Sequence, residues 1–287
     1  MGPRSLRRSI LLLLFAGAIA LSSCAVPLNL TDPAGPRYVG CAAPAIEPEA
    51  IDPALGGEAR GPSADVLRVV TFNIKLAEAI DPAIMLLGHA AELRTADLLL
   101  LQEMDAQGVR RIADARGMCY VYYPATVHPA TGRYFGPAIL SRWPLREDRK
   151  LVLPHRARFN REARIAVTAT VEVRGQPIRI YSVHVATRME LSPSSRRDQI
   201  RTLLADADGS YPRVIIGGDL NWHELGRLFV EHGYAWPTQD LGWTARFGDV
   251  DHIFVRGLAL RPGVSVGKVR DNLDSSDHDP VWVELAL

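Results

Sequence analysis

Cysteine is scarce, with three in 287 residues. Cys24 stands alone behind an apolar run, and neither Cys41 nor Cys119 has metal-ligand spacing. A zinc site is therefore not expected. Apolar runs are short. The longest, Ile10 to Leu21, falls below the ~20 residues that span a bilayer. There is also no excess of one charge, the formal balance being +1. Removing residues 1–23, which carry Arg4, Arg7 and Arg8 and no acid, takes it to −2. Proteins that grip long duplex nucleic acid draw most of their affinity from a basic excess, so this balance argues against strong sequence-independent duplex binding. No internal repeat interrupts the chain and no second domain is visible.

Three arginines, an apolar stretch and small residues before Leu21-Ser22-Ser23-Cys24 read as a cleaved export signal over residues 1–23. The last four residues resemble the bacterial lipobox. That resemblance implies diacylation of Cys24 and an exported lipoprotein held at a membrane; two or more acyl chains anchor stably because each buried methylene contributes ~0.8 kcal/mol. Residues 24–65 are rich in Pro and Ala and read as a tether. Export makes a Cys41–Cys119 bridge chemically feasible, with two unrelated thiols as the alternative.

From Val66 the pattern changes. Val66 to Ile74 and Asp97 to Gln102 are apolar runs of strand type, and Ile165 to Val173 and Ile178 to Val185 form a hairpin around Gly175-Gln176. Helical spacing covers Pro82 to Leu93 behind an Asp81 cap, Gln107 to Arg116, and Ser195 to Asp206. Shorter strands cover Val214 to Gly217, Ile253 to Val255 and Val281 to Leu285. Strands, helices and hairpins in this order predict an α/β fold with a two-sheet core flanked by helices, residues 66–287 forming one body.

Polar residues recur at the strand ends: Asn73, Glu103, His184, Asp219 and Asn221, Asp251, and Asp277-His278-Asp279. If the sheets bring these ends together, carboxylates, carboxamides and histidines share one cleft. Oxygen donors of this kind suit a hard cation such as Mg2+ or Mn2+. A histidine beside an acid can act as base or steady negative charge. Cation, base and oriented water are what phosphate ester hydrolysis requires.

Thr71-Phe72-Asn73-Ile74, Leu101-Gln102-Glu103, Gly136 to Arg142, Ser182-Val183-His184, Gly217 to Asn221, Asp251 to Phe254 and Ser276 to Val281 together resemble the successive motifs of the endonuclease/exonuclease/phosphatase superfamily, the deoxyribonuclease-I-like fold. The resemblance implies a four-layer α/β/β/α sandwich of two mixed sheets. It places Asn73, Glu103 and Asp277 at a Mg2+ or Mn2+ ion, with Glu103 the principal ligand. It assigns His184 and His278 to the phosphate, Asp219 and Asn221 to the attacking water, and Asp251 to the orientation of His278. Tyr122, Tyr123 and Arg142 are expected nearby. Pro137 stands where the family often has asparagine, which leaves the subfamily open.

The expected partner is a phosphoester: DNA, RNA, a phospholipid or an inositol phosphate. The expected state is a monomer. Loops bearing Arg156, Arg158, Arg161, Arg164, Arg188, Arg196 and Arg197 could receive an anionic substrate. A non-catalytic binding protein on the same fold is the alternative. An exported serine hydrolase is a third reading, disfavoured because no Gly-x-Ser-x-Gly turn between strand and helix is expected.

Overall fold

The computed structural model describes residues 27–41, 65–129, 131–209 and 211–287. Cys24 and the export signal lie outside the described residues. In chain order the strands are β1 (Leu28–Asn29), β2 (Tyr38–Cys41), β3 (Val66–Asn73), β4 (Leu98–Met104), β5 (Cys119–Tyr122), β6 (Thr126–Val127), β7 (Tyr134–Ser141), β8 (Arg146–Arg156), β9 (Ala163–Val173), β10 (Gln176–His184), β11 (Val214–Asp219), β12 (Asp251–Arg256), β13 (Ala259–Leu260), β14 (Val266–Lys268) and β15 (Val281–Ala286). The helices are α1 (Ile80–His89), α2 (Ala106–Arg116), α3 (Pro193–Ala207) and α4 (Gly226–Glu231).

Among the described residues the strands form two mixed sheets. One runs β1-β6-β7-β4-β3-β15-β13, with β5 on β7, β2 on β5 and β14 on β15. The other runs β12-β11-β10-β9-β8. Leu67, Val69, Leu100, Val167, Ile180 and Ile253 fill the space between the sheets. Leu86 and Leu87 of α1 and Val109 and Ile112 of α2 cover the outer face of the first sheet through Val70, Phe72 and Leu99. Ile200 and Leu203 of α3 and Phe229 of α4 cover the second through Tyr181, Ile216 and Phe254. The result is the expected α/β/β/α sandwich. Strands β3 and β4 read as unbroken apolar runs because both of their faces are buried.

Two parallel pairs locate the functional end. Strands β3 and β4 are joined through α1, and β10 and β11 through α3. Parallel neighbours joined by a helix point the same way, so their C-terminal ends share one edge. Asn73 pairs with Gln102, and His184 with Asp219. Antiparallel β12 starts there, Asp219 facing Asp251. Antiparallel β15 sets Val281 against Thr71, which returns residues 276–280 to the same edge.

Several local expectations shift. Helix α1 begins earlier than expected: its cap is Ala79, with no side-chain bond, and Asp81 falls in the first turn, where it pairs with Arg111 and still favours the helix dipole. The hairpin turn is Arg174-Gly175, both at positive φ (52° and 70°), and Gln176 already pairs with Val173. Part of the expected tether is built onto the body. Strand β2 pairs with β5 and covers its open edge, β1 pairs with β6, and a disulfide joins Cys41 to Cys119. Arg37 forms two 2.7 Å bonds to Asp148, and Lys150 donates to the carbonyls of Leu30 and Gly35 at 2.6 and 2.7 Å.

Candidate active site

The close approach of strands beneath the cleft is set by two glycines. A Cβ on Gly217 would meet a Leu100 methyl at 2.6 Å across the sheets, and one on Gly218 would lie 1.9 Å from the Val183 carbonyl oxygen. Only glycine allows β11 this proximity. Below the site, Gln102 of the first sheet donates to Ser182 Oγ of the second at 3.1 Å, and Ser182 donates to the Leu101 carbonyl at 3.0 Å. Both side chains are fully buried, so this satisfied network fixes the sheets' spacing.

Glu103 sits at φ 58°, in the irregular pairing of β4 with β7 between Leu101 and Met104. A left-handed backbone is costly for glutamate and, at a bulge, re-aims its side chain into the cleft. Its Oε2 accepts from Leu76 N at 3.0 Å and its Oε1 from Asn73 Nδ2 at 3.2 Å. Asn73 Nδ2 also donates to Asp219 Oδ2 at 3.1 Å. Asn221, at φ 53°, donates through Nδ2 to the Val185 carbonyl at 3.0 Å and through its backbone to Asp219 Oδ1 at 2.7 Å. Asparagine tolerates that conformation better than most residues.

His184 and His278 face Asp219 from two sides. His184 Nε2 lies 3.5 Å from Asp219 Oδ2 and 4.0 Å from Glu103 Oε1, while Arg164 Nη1 approaches Nδ1 at 3.4 Å. Burial, then the charges of Arg164 and His278, push the His184 pKa well below the ordinary value, so the ring is neutral. His278 behaves oppositely. Burial alone would lower it, but Asp251, bonded to Nδ1 at 2.8 Å, with Asp219 and Asp277, takes it up to about 10. The Asp219 carboxyl is pushed up to about 7 by burial first and by the charge of Asp251 second. Asp251 is fully buried and also accepts from Thr244 Oγ1 at 2.8 Å, while its Oδ1 has no hydrogen-bond partner among the described residues.

The structure thus brings together Asn73, Glu103, His184, Asp219, Asn221, Asp251 and His278. Asp277 is exposed and lines the cleft with Lys75 and Arg164. Three others depart from expectation. Arg142 pairs with Asp97 at the opposite end of β4, and Tyr123 donates to Asp148 outside the cleft. Tyr122 packs on the helix side, where its hydroxyl donates to the Met104 carbonyl at 2.8 Å and braces the Glu103 bulge from behind.

Arg164 is a strand residue of β9, not a loop cation. It forms a two-bonded pair with Glu190 at 2.8 and 3.0 Å and lies 3.4 Å from Glu162. Its charge is already balanced, and its place is to hold His184. Thr244 escapes sequence reasoning because a single hydroxyl carries no pattern, and Ser276 enters it only as the first residue of a motif, with no role of its own. Ser276 Oγ donates to the Asn73 carbonyl at 2.6 Å and ties the His278 loop to β3. Gly263-Val264-Ser265-Val266-Gly267 spells the serine-hydrolase turn, but Ser265 is buried beside the short edge strand β14 and no helix follows before β15. That reading is excluded.

Donor atoms of Asp219, Asp251 and His278 lie within 4.8 Å of one another, and the carboxylates of Glu103 and Asp277 line the adjoining cleft. Acidic and histidine side chains here could hold a metal ion. A two-sheet sandwich with acids and histidines gathered at one strand edge is the arrangement expected of the deoxyribonuclease-I-like fold. The chain belongs to the Endonuclease/Exonuclease/phosphatase family, whose family model matches residues 70–278.

Solved structures share the fold at low identity. An endonuclease/exonuclease/phosphatase family protein from Leptotrichia buccalis is 18% identical, with TM-score 0.60 over 77% of this chain and 100% of that one. The human Nocturnin catalytic domain with bound sulfate is 19% identical, with TM-score 0.62 over 77% and 94%. D. rerio TDP2 complexed with a single-strand DNA product is 17% identical, with TM-score 0.57 over 77% and 98%. No curated protein sequence matches the chain significantly.

Proposed function

We propose that the protein hydrolyses a phosphodiester with an activated water and a bound Mg2+ or Mn2+. The observation that carries this reading is the pairing of opposite roles around Asp219. A carboxyl pushed up to about 7 lies 4.0 Å from an imidazole taken up to about 10. One group can take a proton near neutrality while the other stays cationic.

Asp219, fixed by the backbone of Asn221, takes the proton of the attacking water. His278, held in its charged form by Asp251, steadies negative charge on the phosphoryl oxygens. Neutral His184, whose Nε2 lies 3.2 Å from Asn221 Nδ2, lines the same position. Asn73 and Glu103, with Asp277 at the mouth, would hold the cation through oxygen donors, the type that suits a hard ion. When bound, that ion supplies Lewis-acid polarisation of the phosphate and offsets charge on the leaving oxygen.

The substrate class is a phosphodiester of DNA, RNA, a phospholipid or an inositol phosphate. The sulfate on Nocturnin and the DNA product on TDP2 support an anion-receiving cleft in this fold. Hydrolysis of bis(p-nitrophenyl) phosphate by metal-stripped protein is the test. Activity should vanish without metal, return with Mg2+ or Mn2+, and be absent from Glu103→Ala. Full turnover in excess chelator would overturn the reading. Binding of the diester without turnover would favour a non-catalytic binding protein. A panel of DNA, RNA, phospholipid and inositol phosphate then assigns the natural ester.

We further propose export and lipidation at Cys24. The signal pattern of residues 1–24 supports it. So does the Cys41–Cys119 disulfide, since such bonds persist in oxidising compartments.

A further inference from the structure

A second polar cluster lies behind the cleft. Along β12, Ile253 and Val255 face the space between the sheets, whereas Phe254 faces the α3/α4 side. Side chains alternate along a strand, so His252 projects to that helix side, opposite to Asp251. There it meets His223, from the turn after β11, and Asp249, from the loop before β12. His223 Nδ1 is 3.0 Å from Asp249 Oδ2, and His252 Nε2 is 3.7 Å from Asp249 Oδ1.

The cluster is not satisfied by its own contacts. His252 is fully buried, and its Nε2 has no hydrogen-bond partner among the described residues. The same holds for Asp249 Oδ1 and, by geometry, for His223 Nδ1. Buried polar atoms are rarely left unpaired, and three on side chains this close together call for an occupant. We propose that His223, Asp249 and His252 bind a divalent transition metal of the zinc class.

Donor type and spacing both fit. Two imidazoles and a carboxylate suit zinc or its neighbours better than Mg2+, which prefers oxygen alone. Zinc bonds of ~2.0–2.1 Å in a tetrahedron place donor atoms ~3.4 Å apart. The two imidazole–carboxylate contacts, each to a different oxygen of Asp249, are of that order, and one donor atom from each residue lies within 4.8 Å of the others. The surroundings orient the ligands. His252 Nδ1 lies 3.5 Å from the buried Thr238 hydroxyl, which turns Nε2 toward Asp249. Trp236 packs against His223, ring centres 4.6 Å apart. The His223 side chain is 34% exposed, although its Nδ1 is itself buried. An ion here would clamp the loop before β12 two residues from Asp251, and so hold the partner of His278.

The test is a Co2+ titration of the intact, metal-stripped protein with Mg2+ saturating the oxygen-donor cleft, followed by the visible bands of tetrahedral Co2+. One equivalent should bind. His223→Gln, at a partly exposed position that folding tolerates, and Asp249→Asn should each weaken it ~10-fold or more. Glu103→Ala should leave the bands in place. Absence of tetrahedral bands in wild type would overturn the proposal, as would bands that survive His223→Gln unweakened or disappear in Glu103→Ala.

Discussion

His278 donates through Nδ1 to Asp251 Oδ2 at 2.8 Å, and this bond leaves Nε2 facing Asp219 Oδ2 at 4.0 Å. One buried carboxylate therefore acts on two groups. It keeps the imidazole charged, and its own charge raises the Asp219 carboxyl. Asp219 and His278 therefore titrate as a linked pair.

The pH dependence of kcat/KM follows. Asp219 must be deprotonated, so the rate should climb with pH through about 7. His278 must stay protonated, so the rate should fall above about 10. Asp251→Asn removes the charge that raises both values, so both limbs should move to lower pH. The rate should drop ~10- to 100-fold, because an orienting partner is lost and the reacting groups remain. Limbs that stay in place in Asp251→Asn would contradict the linkage.

Asp219→Asn should act differently. The amide keeps the shape and can still face Asn221, but it cannot take a proton. Steady-state kinetics should show kcat lower by ~100- to 10,000-fold with KM nearly unchanged. Near wild-type kcat on folded protein would remove the water-activating role.

Arg164 tests whether a cleft arginine serves the substrate or the protein. Its side chain is 7% exposed and is balanced by Glu190 and Glu162. Arg164→Ala would strand the buried Glu162 and the half-buried Glu190 at a cost of ~3–5 kcal/mol. Arg158→Ala, at an exposed position, should cost no more than ~0.5 kcal/mol. Denaturant melts of the two variants decide it. Equal stability would mean that the Arg164 ion pairs contribute little.

Much of this site is legible because several functional residues close apolar strands: Asn73 ends β3, Glu103 lies near the end of β4, His184 ends β10 and Asp219 ends β11. An acid or amide there breaks a pattern that burial otherwise enforces. What escapes has no such contrast. Strand β8, Arg146–Arg156, is half exposed and carries charges that hide its alternation. Strand β2 lies in a Pro-rich stretch, and its partner β5 is far along the chain. His223 and the Asp249/His252 pair meet only once β11 and β12 align. The positive φ of Glu103 leaves no trace in residue type at all.

The proposed address is tested by mass spectrometry of the mature N-terminus. It should begin at a diacylated Cys24, and Cys24→Ser should accumulate as unlipidated precursor, since the thioether cannot form. Any other starting residue would rule out the lipoprotein reading.

The disulfide makes the N-terminal strap part of the fold's stability. Cys41 and Cys119 are 78 positions apart, and closing a loop of that size stabilises by about 4.5 kcal/mol in the chain-entropy relation. The bond also holds β2 on the open edge of β5, where Tyr38 packs against Tyr122 at 5.8 Å between ring centres. Tyr122 in turn supports the Met104 carbonyl next to Glu103. Reduction, or Cys41→Ser, should therefore lower Tm by about 10 °C for a domain of this size. Loss of β2 would leave Tyr122 less confined, so KM for Mg2+ should rise before the bulk of the fold is lost. Calorimetry of oxidised and reduced protein, with Mg2+ titrations of activity below the transition, reads both effects. An unchanged Tm would show that the contacts of Arg37 and Lys150 hold the strap without the covalent link.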